Sequence, residues 1–336
     1  MSHSPRPSRR QTLQRALFAS ALATLAVTLP QYALSQAAYP NKPIRLVVPF
    51  VPGGVTDTSG RLIADQLSKR LGQQVIVDNR PGASGNIGTQ LVATSPPDGY
   101  TLVLAFDGTM VINPHVFEKT PFDTLKDFAP IGKIGDAVII LVANPAVPAK
   151  TLQEVIALSK SQPGGLSYGT SGTGGTPHIA GESLKIKTGA NLVHVPYKGG
   201  GQALTDVIGG SIPLVYTAIA SARGQIQSGK VKAIAVSSAQ RSASLPDVPT
   251  FIESGVPDFV INSWVGLLAP AKTPKAIIDK LNTELNAVLN DPETKEKLNV
   301  MGIAATPGAP EKFGDEMKRD LQRYGPVVKA AGIKAE

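Results

Sequence analysis

An α/β protein built as two domains facing a ligand cleft is the fold class that the sequence predicts. Three observations carry it. Short apolar runs alternate with segments of helical periodicity along most of the chain, the pattern of crossover units with largely parallel strands. At 336 residues the chain exceeds what one ordinary core serves, so two domains are expected. Three glycine-rich turns each lead into a helix, where free N–H groups and the positive end of the helix dipole can meet an anion.

The elements follow in order. Ile44–Val48 reads as a buried strand, and Leu62, Ile63, Leu67 and Leu71 then recur at helical spacing until Gly72 stops the helix. Val75–Val77 is a second strand, Asn86–Thr94 a short helix, Pro96–Gly99 a turn and Tyr100–Ala105 a third strand. Val138–Val142, Leu166–Gly169, Val193–Val195, Ile212–Tyr216 and Val231–Val236 are strand-like. Leu152–Ser159, Gln202–Ile208 and Arg223–Ser228 are helical, as is Pro177–Lys187 with Thr176 as its expected N-cap. Two amphipathic helices, Pro274–Leu289 and Pro310–Ala331, close the chain.

Residues 1–37 read as an export signal. Arg6, Arg9, Arg10 and Arg15 form a basic region without an acid, and Ala16–Leu29 is an apolar run too short to span a bilayer. Small residues then lead to a cleavage region near 35–38. Ser8–Gln14 partly resembles a twin-arginine signal, and ordinary Sec export fits equally. Without any cysteine, the chain has no disulfide, thiol chemistry or cysteine-held metal, and no lipid anchor at the cleavage site. Removing the four signal arginines lowers the formal net charge from +8 to about +4. No basic stripe suggests nucleic acid or a membrane surface.

Catalytic motifs fail on context. Gly224–Lys230 fits the first positions of a P-loop, but Val231 replaces the hydroxyl residue and a strand follows. Gly172 and Gly174 mimic a dinucleotide turn, but Pro177 stands at the third glycine. Ser171 lacks the second glycine of a nucleophile elbow. The mature histidines His115, His178 and His194 have no ligand spacing, and His194 inside an apolar strand reads as structural. No catalytic residue, metal or cofactor is expected.

What remains is binding loops: Pro49–Asp57, Tyr168–His178 and Val195–Gly201. Bare backbone amides at several helix starts suit a small anion, and glycine allows its close approach.

The chain resembles the substrate-binding proteins of tripartite tricarboxylate transporters, the TctC or Bug family. The resemblance rests on "YPNKPIRLVVPFVPGGVTD" (39–57), "VDNRPGASGNIGTQLVATSPPDGYTL" (77–102), "INPHVF" (112–117), "TLKDFAPIGKI" (124–134), "YGTSGTGGTPHIAGE" (168–182), "VPYKGGGQALTDVIGGSIPLVY" (195–216), "LPDVPTFIESGVPDF" (245–259) and "SWVGLLAPAKTP" (263–274). It implies a type II-like venus-flytrap periplasmic binding protein. Domain 1 would comprise 38–141 and 263–336, and domain 2 would comprise 142–262, with two crossovers between them. It also implies a periplasmic monomer that captures a small carboxylate, such as a di- or tricarboxylate, an acidic amino acid or an aromatic acid. Its partners would be the permease subunits of a tripartite transporter or, alternatively, a sensor kinase. An exported hydrolase is a distant third reading.

Carried over residue by residue, Phe50, Gly53, Gly54, Val55 and Thr56 would face the proximal carboxylate. Asp57 would either support the helix start or touch the ligand. Thr170, Ser171, Gly172, Thr173, Gly174 and His178 would form the opposing wall, with Tyr197 and Lys198 flanking it. The chain departs from the family at Phe106, Asp107 and Thr217, which would shape the distal pocket. Asp107 would either face the cleft or cap a turn. Phe106 and Trp264 would stack on ligand or belong to the core.

Overall fold

The computed structural model describes residues 39–53, 55–197 and 200–334. The expected export segment lies outside them, as do Gly54 and Lys198. The described residues from Lys42 onward form one compact unit.

This unit begins with β1 (Ile44–Val48), α1 (Val55–Leu71), β2 (Val75–Asn79), α2 (Asn86–Ala93) and β3 (Thr101–Phe106). A π-helical turn, Gly108–Ile112, runs into α3 (Asn113–Val116), and β4 (Phe128–Ala137) follows. The middle of the chain supplies β5 (Ile139–Ala143), α4 (Leu152–Ser161), β6 (Leu166–Thr170), α5 (Thr176–Thr188), β7 (Leu192–Pro196), α6 (Gly200–Gly209), β8 (Leu214–Ala218), α7 (Ile219–Gln227) and β9 (Lys232–Val236). The end supplies β10 (Ser263–Pro270), α8 (Lys275–Asn290), α9 (Pro292–Val300), β11 (Ile303–Ala305) and α10 (Pro310–Ala330).

Two sheets result. The six-stranded one has the order β11-β4-β10-β3-β1-β2, and the five-stranded one β7-β6-β8-β5-β9. The chain passes from the first sheet to the second between β4 and β5, and returns between β9 and β10. Both sheets are mixed, which corrects the expectation of largely parallel pairing. The βα units pair in parallel, as β2-β1-β3 and β7-β6-β8. β5 and β10, which the chain enters from the other sheet, instead run antiparallel to both of their neighbours.

Local chemistry explains the boundaries. Thr151 and Glu154 form a reciprocal capping box at the head of α4. Gly60 of α1 lies against Leu104 and Val48, where a Cβ would meet Leu104 at 3.0 Å. Thr176, expected as an N-cap, is instead the first residue of α5, and Gly175 occupies the cap. That shift frees the Thr176 hydroxyl for a long-range bond described below.

Val47, Val103, Ala105 and Val92 join Phe313, Met317 and Tyr324 in a hydrophobic cluster that continues into Ile139, Leu141, Tyr168 and Tyr216 of the second sheet. Buried apolar packing is therefore continuous from one sheet to the other. Trp264 belongs to it: 1% exposed, it packs edge-on against Phe313 and donates its indole N–H to Asp320 at 2.9 Å.

Candidate functional site

Asp57 organises the loop between β1 and α1. Its carboxylate accepts from the Gly53 amide at 2.9 Å, Arg61 Nε at 3.0 Å and Asn79 Nδ2 at 2.8 Å. Asn79 Nδ2 also reaches the Phe50 carbonyl at 3.0 Å, so both ends of the loop are tied. Burial opposes the charge on Asp57, but the bonds from Arg61, Gly53 and Asn79 outweigh it and hold the carboxyl below its usual range. The Gly53 amide is therefore occupied. The first amides of α1, from Val55 onward, have no intrahelical partner.

A second loop lies beside the first. Gly82, Ala83, Ser84 and Gly85 all have positive φ, at 134°, 47°, 52° and 91°. Two non-glycine residues held there need outside support. Thr109 Oγ1 and Asn113 Nδ2 provide it by donating to the Ser84 carbonyl at 2.8 and 3.0 Å. The Phe50 ring lies 3.3 Å from where a Gly85 Cβ would stand, and it meets Phe106 edge-on at 5.5 Å. Phe50 and Phe106 are both half-buried.

The second sheet contributes the opposing loop, Thr170–Gly175. Thr170 donates to the Gly172 carbonyl at 2.9 Å, so His194 Nε2, 2.7 Å away, donates to the Thr170 oxygen. The Gly174 amide donates to His178 Nδ1 at 3.1 Å, and the two imidazoles stack at 3.6 Å. Burial pushes both histidines down to about 4; Lys185 adds to this for His178, and His178 itself for His194. His178 is thus neutral and turned into the protein, where it supports the loop from behind. Tyr197 donates to Asp206 at 2.8 Å, and a Cβ on Gly200 would lie 3.1 Å from Thr217 Oγ1 and 3.9 Å from Ser171 Cβ.

Between the two sets of loops lies a cleft of about 360 Å³. Ser84, Asn113, Val116, Phe117 and Lys334 line one side; Gly172, Thr173, Gly174, Pro196 and Tyr197 line the other. Of the residues expected from sequence, Gly172, Thr173, Gly174 and Tyr197 line it directly. Phe50 packs against Gly85, next to the lining residue Ser84, and meets Phe106; Asp57 holds the loop before α1; Thr170 braces the opposing loop, and Ser171 and Thr217 lie against the start of α6. Asp107 is fully buried and bonds to Thr176 and Ser263. The Val55 backbone opens α1. Ser84, Asn113 and Lys334 were not anticipated. The two glycines that flank Ala83 and Ser84 were the visible signal for the first.

Two mixed sheets joined by two chain passages around a cleft define a solute-binding receptor of the periplasmic binding-protein type, not an enzyme. The chain belongs to the TctC family, the tripartite tricarboxylate transporter family receptors, whose profile matches residues 60–333. It is similar to the protein BugT of Bordetella pertussis, with 34% identity over 314 residues that cover 93% of this chain and 95% of BugT. Among solved structures, Rpa4515 of R. palustris with adipate is 34% identical, with a TM-score of 0.77 over 88% of this chain and 99% of that one. MatC of Rhodopseudomonas palustris with bound malate is 31% identical, with a TM-score of 0.73 over 86% of this chain and all of that one.

Proposed function

We propose that this protein is a periplasmic receptor that captures a small organic carboxylate between its two sheets and presents it to the permease of a tripartite transporter. The observation that carries this reading is the meeting of glycine-rich loops from both sheets at one cleft, with their side chains largely committed to internal hydrogen bonds. The amides of Gly53, Gly172 and Gly174 are bonded within the loops too, so the amides at the helix starts that follow are the groups left to recognise an anion, and charge-assisted bonds from them are short and strong. The bound adipate and malate of two similar proteins support the same class of ligand.

In this reading residues 38–141 and 263–336 form one lobe and 142–262 the other, and the ligand stabilises their closed arrangement. Gly53, Gly54, Val55 and Thr56 face the proximal carboxylate, and Lys198 flanks the ligand. Residues 1–37 direct export by the Sec or twin-arginine route and are removed, and the mature receptor acts as a monomer.

The test is thermal unfolding of the mature protein, stripped of carried-over ligand by unfolding and refolding, against a panel of carboxylic acids and their methyl esters. A ligand with Kd about 1 μM, present at about 1 mM, adds roughly 4 kcal/mol to the folded state. At roughly 2–4 °C per kcal/mol, the shift is plain. An acid that raises Tm while its ester does not supports the reading. A protein that unfolds cooperatively but responds to no acid sinks it.

A further inference from the structure

The C-terminus of α10 does more than end a helix. Gly332, at φ 63°, donates to the Lys329 carbonyl at 3.2 Å, and Ile333 donates to the Val328 carbonyl at 3.0 Å. These are the two bonds of a Schellman motif, which turns the chain sharply off the helix axis. The turn drives Ile333 inward, where it is 6% exposed within the shared core. Its Cγ2 lies 3.9 Å from where a Gly174 Cβ would stand, and Val116 Cγ1 lies 3.5 Å from the same point. The tail of the chain is thereby pinned between the two sets of loops, and the next residue, Lys334, lines the cleft.

Lys334 has a distinctive setting. Among the described residues it is the only lining residue of this cleft whose side chain carries a full charge, and among them it has no ion-pair partner. Of the other polar side chains of the lining, Asn113 Nδ2 is bonded to Ser84 and Asn86 and the Tyr197 hydroxyl to Asp206, while Ser84 and Thr173 carry only neutral hydroxyls. Loop amides can hold one carboxylate, but they offer nothing specific to a second negative group farther along the ligand. A flexible ammonium on a fixed Cα can.

We propose that Lys334 is a specificity-determining residue, which pairs with a second anionic group and selects dianionic acids over monocarboxylates of the same length. This rests on the carboxylate reading above and adds to it the C-terminal tail as an element that reads the ligand. A lysine serving only the helix would act through the dipole at the end of α10, and its loss would lower stability without changing ligand preference.

The experiment is isothermal titration of the stripped mature protein with succinate, malate and adipate, each beside the monocarboxylate of equal chain length. Wild type and the variants Lys334→Gln and Lys334→Arg are compared, and Tm is recorded for each. The expected result is a wild-type preference for a diacid of roughly tenfold or more, in line with a charge-assisted bond. Lys334→Gln should remove most of that preference, weaken the monocarboxylate far less than the diacid and leave Tm unchanged, while Lys334→Arg retains the preference. If Lys334→Gln binds the diacid as tightly as wild type does, or if wild type prefers the monocarboxylate, the inference is overturned and carboxylate capture stands. If wild type binds none of the acids yet unfolds cooperatively, carboxylate capture falls and the inference with it.

Discussion

Asp107, at the end of β3, accepts a hydrogen bond from the hydroxyl of Thr176 at the head of α5, so that one buried carboxyl links the two sheets. Ser263, the first residue of β10 after the chain returns from the second sheet, donates to its other oxygen at 2.5 Å. Desolvation pushes Asp107 up to about 7, and the charge of Asp320 adds to this; the bonds from Ser263, Thr176 and the Gly108 amide pull the other way. Asp320 and Tyr324, both on α10, are the ionisable groups that face it.

This raised value sets a direction for pH. Between about 3.8, the ordinary value, and about 7, the folded chain holds a proton on Asp107 that the unfolded chain has released. Its contribution to stability is full below that window and is lost as pH rises through it. The difference in Tm between wild type and Asp107→Asn should therefore move in favour of wild type on acidification from about pH 8 to 5. A difference curve flat over that range would mean that Asp107 is ionised in the fold throughout.

The stacked pair His178 and His194 acts in the opposite sense. Both are held neutral, at about 4 against an ordinary 6.5, chiefly because they are buried. The unfolded chain takes up protons first as pH falls, so their stabilising effect is present above about 6.5 and is lost toward 4. Urea midpoints measured across this window should fall with acidification in wild type and fall less steeply in His194→Gln. Equal slopes in the two proteins would count against the neutral pair.

Local alternation made β1, α1, β2, β3 and the βα units of the second sheet legible, because each buries a periodic face within its own short stretch of chain. β4, "FAPIGKIGDA", was not legible: proline, glycines and charges interrupt its pattern, and pairing with β10 across two register shifts makes it a strand. β10 is buried at every position, so it has no alternation to read. The glycine loops pointed to the cleft from sequence, but the environment of Asp107 could not be read, since its partners lie 69 and 156 residues away. Lys334 carries no local signal at all; only the packing of Ile333 brings it to the cleft.

Gly181 tests the support behind the Thr170–Gly175 loop. A Cβ there would collide with the ring and hydroxyl of Tyr168, which donates to Glu182 at 2.8 Å beneath the histidine pair. Gly181→Ala should cost about 1–3 kcal/mol of stability, as overpacking of a full core does. Chemical denaturation would measure it, and a loss under about 0.5 kcal/mol, the range of neutral surface changes, would show that the ring can move aside.

Asp57 allows two roles to be told apart by sign. It is 2% exposed and holds three donors, from Gly53, Arg61 and Asn79. As an anchor, its replacement in Asp57→Ala leaves those groups unpaired, costs about 1–3 kcal/mol of stability and loosens the loop that frames the α1 amides. Affinity for a carboxylate should then fall together with Tm. Were Asp57 instead facing the ligand, removing its negative charge would relieve repulsion, and affinity would rise even as stability fell. Titration of the variant with an acid that binds wild type reads the difference directly. The geometry predicts the fall, because the three donors that hold the carboxylate are the protein's own: the Gly53 amide, Arg61 of α1 and Asn79 at the end of β2.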